Sequence, residues 1–179
     1  ALSPYKDFYS AFQNIYFGYS YSYVFFRGSW ENLYNDPKMS SVYFGFPLSK
    51  IYASNSMLIK NIYIVPTWQF YSTNNHDLEN INDSYLSIYT GSMALQYHYS
   101  LSPLMIIYAS LGAGVSYSDM RLVLVSGGGP FSPETKTEST DPYLGANLGA
   151  IFYIYNIGIS GGLGYNRILY KGDDLASFV

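Results

Sequence analysis

The chain has 179 residues, enough for one domain with a sizeable core, and its 9 basic against 12 acidic residues give a net charge of -3. That balance, with no basic stripe carrying interleaved aromatics, argues against a nucleic-acid binder, and the lack of cysteine excludes disulfides and thiolate metal sites. Charged residues make up only 12 % and aromatics 20 %, with 22 tyrosines, and no run of 18 apolar residues offers a transmembrane helix.

Taken in chain order, Ala1-Leu2-Ser3-Pro4 fits a mature N-terminus left after cleavage at a small-residue site. The first patterned element is "IYFGYSYSYVFF", residues 15–26, where Ile15, Phe17, Tyr19, Tyr21, Tyr23 and Phe25 alternate with Gly18, Ser20 and Ser22. A period of two means a β-strand with two unlike faces. A soluble strand would put Lys, Glu, Arg or Thr on its watery face, whereas here the second face is small and uncharged.

Residues 42–48 and 62–71 follow with weaker alternation, and their Pro47 and Pro66 mark bulges or ends. The next segments alternate cleanly. Gly91, Met93, Leu95, Tyr97 and Tyr99 interleave with Thr90, Ser92, Ala94, Gln96 and His98. Residues 105–118, 144–154 and 157–166 likewise set Leu, Ile, Val and Tyr against Gly, Ser and Asn. The connections alternate in length: 101–103 and 155–156 are short, whereas 27–41, 72–84 and 119–142 are long and polar, and 49–61 is ambiguous. No Asp, Glu, Lys or Arg falls within segments 15–26, 42–48, 62–71, 85–99, 104–118, 143–154 or 157–166.

A soluble barrel would carry charge on its outward face. A face that meets hydrocarbon cannot, because Arg or Lys at mid-depth costs about 2–4 kcal/mol. The expectation is therefore an all-β, transmembrane antiparallel up-and-down β-barrel of about eight strands, a single domain over residues 1–179. Its large residues face lipid and its Gly, Ser and Tyr line a narrow lumen. Short turns on one end and long loops on the other match an outer-membrane layout. Eleven of the twelve acids, all but Asp7, lie on the expected outer side, while Lys50 and Lys60 flank an inner link. The eighth strand is the weak point: residues 175–179 are short against the about 9–11 residues a spanning strand needs. A short strand, a longer chain or a strand from a partner would each complete the closure.

On "YHYSLSPLMIIYASLGAGVSYSD", residues 97–119, and "DPYLGANLGAIFYIYNIGISGGLGYN", residues 141–166, the chain resembles the small outer-membrane β-barrel proteins of the OmpA, OmpX, OmpW and opacity-protein type. The likeness covers roughly the C-terminal half and departs from the family's terminal aromatic, since the chain shows Phe178-Val179. It implies location in the bacterial outer membrane and outer-membrane lipids as partners. The fold itself leaves activity open: a surface protein whose loops bind extracellular proteins, an OmpW-like conduit for small or apolar solutes, or a lipid A-modifying enzyme.

For the enzyme, His98 and Ser100 share one side of a strand, so an imidazole could serve a hydroxyl. Barrel deacylases pair such residues with a downstream acid, yet none follows before Asp119, so a structural polar pair is the ordinary reading and no enzyme is expected. His76, Asp77 and Glu79 could hold a hard cation through oxygen ligands, although solvated loop acids are commoner. "SGGGPFSPETKTEST", residues 126–140, has the composition of a mobile outer loop, and its "GGG" lacks the Gly-Lys-Ser/Thr of a phosphate loop. No cofactor is expected. Trp68, Phe70, Tyr97, Tyr99, Phe152 and Tyr165 read as interfacial girdle aromatics. The reading as a whole predicts that the protein needs detergent and migrates differently in gels before and after heating. Recovery as a stable monomer in plain buffer would refute it.

Overall fold

The computed structural model describes residues 15–26, 34, 37–52, 56–74, 84–123, 134–154, 157–169 and 174–178. These residues form β1 (Tyr16–Tyr23), β2 (Phe25–Phe26), β3 (Lys38–Pro47), β4 (Ile62–Asn74), β5 (Tyr85–Ser102), β6 (Met105–Val123), β7 (Glu134–Ile154), β8 (Ile157–Leu169) and β9 (Asp174–Phe178). All belong to one antiparallel sheet, ordered β1-β3-β4-β5-β6-β7-β8-β9-β2. Because β1 and β2 are a single stretch interrupted at Val24, the sheet has eight staves. It curls round until β9 meets β2, with Phe25 opposite Phe178 and Phe26 opposite Ser177. Val24 keeps its tie to the first neighbour, its N–H donating to the Pro37 carbonyl at 3.0 Å.

The period-two alternation of the sequence becomes the two faces of this wall. Phe17, Tyr19, Tyr21, Tyr23 and Phe25 point outward and stay exposed, as do Leu111 at 71 % and Leu163 at 77 %. Between the outward rings of Tyr89 and Tyr99 on β5 lie only Gly91, Met93, Leu95 and Tyr97. Ten residues at about 3.3 Å each, tilted by about 40°, make an uncharged band about 25 Å tall, the height of a barrel's lipid-facing belt.

The strands run further than alternation and charge suggested. β6 continues to Val123 and β7 begins at Glu134, so the expected 119–142 link narrows to residues between those ends, and Asp119, Arg121, Lys136, Glu138 and Asp141 lie in strands. β3 likewise opens at Lys38, β4 reaches Asn74, and β8 takes in Arg167. Charge marks where the band stops, while the sheet goes on into water, where charged side chains cost little and Thr in "ETKTEST" suits a strand. The ambiguous 49–61 link holds two single-turn helices, Leu48–Ile51 and Met57–Lys60. Pro47 ends β3. Pro66 neither ends nor shifts β4: the β3–β4 ladder skips its level and resumes with the same offset, from Tyr43 opposite Thr67 to Phe46 opposite Ile64, as a residue without an N–H requires.

Inside, glycines of one strand lie beneath tyrosines of the next. A Cβ on Gly18 would enter the ring of Tyr43, one on Gly45 the ring of Tyr16, and one on Gly149 would lie 2.6 Å from the Tyr108 hydroxyl. Elsewhere backbone itself is in the way, and at Gly114 a Cβ would collide with the Gly91 carbonyl oxygen and stand 2.6 Å from the Ser92 Cα. Gly161 faces open space. Gly114→Ala is therefore expected to destabilise by about 1–3 kcal/mol, the usual cost of overpacking, and Gly161→Ala to be near neutral. The urea midpoint of the heat-modifiable gel band measures both.

Candidate functional site

The interior has three levels, each built from inward-facing positions. At the end of the short turns, β1, β4, β5 and β6 bring Tyr16, Tyr63, His98 and Tyr108 together. The His98 ring stacks on Tyr63 with centroids 4.3 Å apart and on Tyr16 at 5.8 Å, and Tyr108 lies at 6.4 Å. The Tyr16 hydroxyl donates to Gln96 Oε1 at 2.5 Å. Backbone anchors the cluster, since the His98 N–H donates to the Asn61 carbonyl at 2.8 Å, where the second helix ends.

The middle level is a belt of small hydroxyls and amides. Ser20 and Ser41 pair at 2.6 Å, Thr90 and Ser116 at 3.0 Å, and Asn147 Nδ2 donates to Ser110 Oγ at 3.2 Å. Each of these three pairs joins neighbouring strands, β1 to β3, β5 to β6 and β6 to β7, and so ties staves together across the lumen wall. At the loop end an apolar core fills the lumen: Val24, Phe26, Tyr34, Met39, Tyr71, Leu86, Ile88, Tyr143 and Ile168 are buried together, Leu86 and Ile88 at 0 % exposure. The Tyr143 hydroxyl donates to Asn166 Oδ1 beneath them.

Above the band β6 continues between β5 and β7, with Asp119 between Ser87 and Glu138 and Arg121 between Tyr85 and Lys136, while β7 at this level has β6 as its partner. Lys136 Nζ lies 3.0 Å from Glu138 Oε1, and this neighbour holds the Glu138 carboxyl below its ordinary range. The Tyr85 hydroxyl donates to Asp119 Oδ2 at 3.4 Å. Side chains of both signs are thus presented on a hydrogen-bonded ladder at the outer end.

The sequence-derived candidates separate on this frame. His98 is buried and its Nε2 has no hydrogen-bond partner, whereas Ser100 is exposed beside the irregular pairing at Ser100/Ser102. Among the described residues no carboxylate reaches the imidazole; Asp119 pairs with Ser87, far up the same hairpin. His76, Asp77 and Glu79 lie outside the described residues. Of the 126–140 stretch, residues 134–140 form the start of β7, which corrects the loop reading there; the rest lies outside the described residues. Trp68, Phe70, Tyr97, Tyr99, Phe152 and Tyr165 all face outward. Phe70, Tyr89 and Tyr117 form a cross-strand row with centroid spacings of 4.9 and 6.3 Å. Tyr16 was not singled out from the sequence, although alternation with Gly18 already places it on the inward face.

No family model matches the chain, and no curated protein matches it. Among solved structures, Ail, the attachment invasion locus protein of Yersinia pestis, aligns with a TM-score of 0.49 at 15 % identity, over 92 % of this chain and 91 % of that one.

A stacked imidazole without an acid predicts a packing role. His98→Ala should lose about 0.5–1.5 kcal/mol of ring contact, and Tyr16→Phe, which strands the buried Gln96 oxygen, about 1–3 kcal/mol, both read from urea midpoints. Neither wild type nor variant should deacylate lipid A in detergent; turnover lost in His98→Ala would overturn the packing role.

Proposed function

We propose that the chain is a bacterial outer-membrane surface protein, anchored in lipid by its barrel and acting through its outer end by binding an extracellular protein. One observation supports the reading: side chains crowd the interior at two levels a conduit would need open, the rings of Tyr16, Tyr63, His98 and Tyr108 at the turn end and the Leu86–Ile88 core at the loop end. With the interior crowded at these two levels and the flank given to hydrocarbon, the surface best placed to meet another molecule is the pair of water-facing ends. The outer one carries the extended ends of β5, β6 and β7 and the long connections, and loops held by a rigid scaffold are where such folds place binding.

The uncharged band supports membrane anchoring, since a face of that height and composition matches a bilayer's hydrocarbon core. The conduit reading asks for an open path along the axis, and the half-buried tyrosines around His98 and the buried apolar core above speak against one. The enzyme reading asks for an acid beside His98, and among the described residues no carboxylate reaches it.

Two measurements test the proposal. Reconstituted in planar bilayers, the protein is expected to pass no resolvable ion current; steady conductance would return the conduit reading. On whole cells, protease is expected to cut between Val123 and Glu134 and to spare residues 101–103. Capture of extracellular-matrix proteins by those cells should fall after such cutting. Cutting at 101–103 alone would invert the topology.

A further inference from the structure

The outward wall is not bulky everywhere. Of the described glycines, Gly91 on β5 and Gly161 on β8 stand on the lipid-facing side, and a Cβ built on either would meet nothing within 4 Å. Their surroundings differ. Gly161 lies opposite Ala150, so its border on that side is low. Gly91 lies between Trp68 on β4 and Val115 on β6, and one outward position higher Tyr89 stands between Phe70 and Tyr117.

These side chains enclose a groove of about 570 Å³ that spans β3 to β6, with Gly91 as its floor. Its upper wall is the row of Phe70, Tyr89 and Tyr117, whose ring centroids are 4.9 and 6.3 Å apart. Trp68 meets Phe44 of β3 nearly at right angles, with centroids 6.1 Å apart, on the side away from β5. That contact leaves the space over Gly91 clear. Ser40, at the β3 rim, is paired with the Tyr19 hydroxyl at 3.0 Å, and Thr90, beneath the floor, is bonded to Ser116 inside the lumen. What faces the groove is therefore ring, aliphatic side chain and bare backbone.

Depth decides what fills it. Gly91 lies two residues, about 5 Å along the barrel axis, below the Tyr89 level where the uncharged band ends. Charge begins just above, with Lys38 one outward position beyond Ser40 and Asp119 one beyond Tyr117. The groove thus opens to the upper part of an acyl layer and is continuous with the lipid-facing band. Lipid tails are as apolar as the wall, so a chain is held here by close packing rather than by escape from water. Aromatic rings suit that task, since they offer large rigid surfaces at little cost in conformational freedom.

We propose that the Gly91 groove is a binding site for one acyl chain of an outer-leaflet lipid, tucked under the row of Phe70, Tyr89 and Tyr117 by its upper methylenes. The head group stays outside, among the charged strand ends. The proposal rests on the membrane-barrel reading and is independent of what the outer loops bind.

Trp68 lines the groove and reports on its occupant. The parent for the test is Trp30→Phe, which leaves Trp68 as the sole tryptophan. In detergent it is titrated with phosphatidylethanolamine brominated in the upper half of one chain, bromine being a contact quencher of indole. Trp68 emission should fall by about half and level off near one lipid per barrel, because a packed chain lies within van der Waals reach of the ring. Gly91→Leu fills the groove, so its emission should fall only in proportion to the lipid added, whereas Gly161→Leu should behave as the parent does. The heat-modifiable gel band checks that both variants fold, and the parent's plateau decides without either. Quenching in the parent that rises in proportion to lipid, with no plateau, would overturn the proposal, as would a plateau that survives Gly91→Leu. Phosphatidylglycerol carrying the same chain should give the same plateau at the same lipid ratio. A strong preference for it would assign the binding to the cationic strand ends above and overturn the acyl site. A plateau that vanishes as protein is concentrated at a fixed lipid ratio would give the groove to a second copy and overturn it too. A parent recovered without detergent and without a heat-modifiable band would instead overturn the barrel reading itself.

Discussion

Everything in this molecule follows from the demand that a backbone surrounded by hydrocarbon bond only to itself. A helix would meet it within one segment, but no helix of the described residues is long and apolar enough to cross a membrane. A sheet meets it only by curling back on its first strand. That requirement explains why the strands follow one another in an up-and-down order, why the short connections lie at one end, and why the first stretch changes partner at Val24, giving β3 its lower part and β9 its last two residues.

Once the outside is committed to apolar side chains, the inside inherits the polar ones and must fit them into a narrow space. Rings and glycines solve this together. Tyr43 over Gly18, Tyr16 over Gly45 and Tyr108 over Gly149 each place a flat ring where the neighbouring strand has no Cβ, and the tyrosine hydroxyls then find amide partners such as Gln96 and Asn166. Serine and threonine pairs occupy the level between. An interior built in this way resembles a protein core in its packing while remaining polar enough to use its own side chains as partners.

Much of the architecture was legible from residues 15–26, 90–99, 105–118 and 157–166, because a period of two and the absence of charge both survive into the structure as an outward and an inward face. What misled was treating charge as the end of a strand. Lys136, Glu138, Asp119 and Arg121 mark the end of the lipid band, and the ladder passes through them. The interior cluster was harder to see. That Tyr16 meets His98 depends on the registers of β1, β3, β4 and β5 taken together, and no local pattern contains that information. The same holds for His98 itself: two residues from Ser100 in sequence, it was read beside a hydroxyl, yet its neighbours in space are tyrosine rings.

The ladder from β3 to β9 joins each strand to the one just before it in the chain, so nearly all of the sheet can grow by adding one hairpin at a time. Loops that short are quick to close. The pairing of Phe25 and Phe26 with Phe178 and Ser177 is the exception, since it brings the beginning of the chain to its far end, and contacts of such long separation are the slow ones. Assembly is thus expected to be fast along the wall and slow at its last join. Throughout that interval the growing sheet carries two bare edges, and the first strand must wait, shielded from lipid and from other chains, until the last arrives.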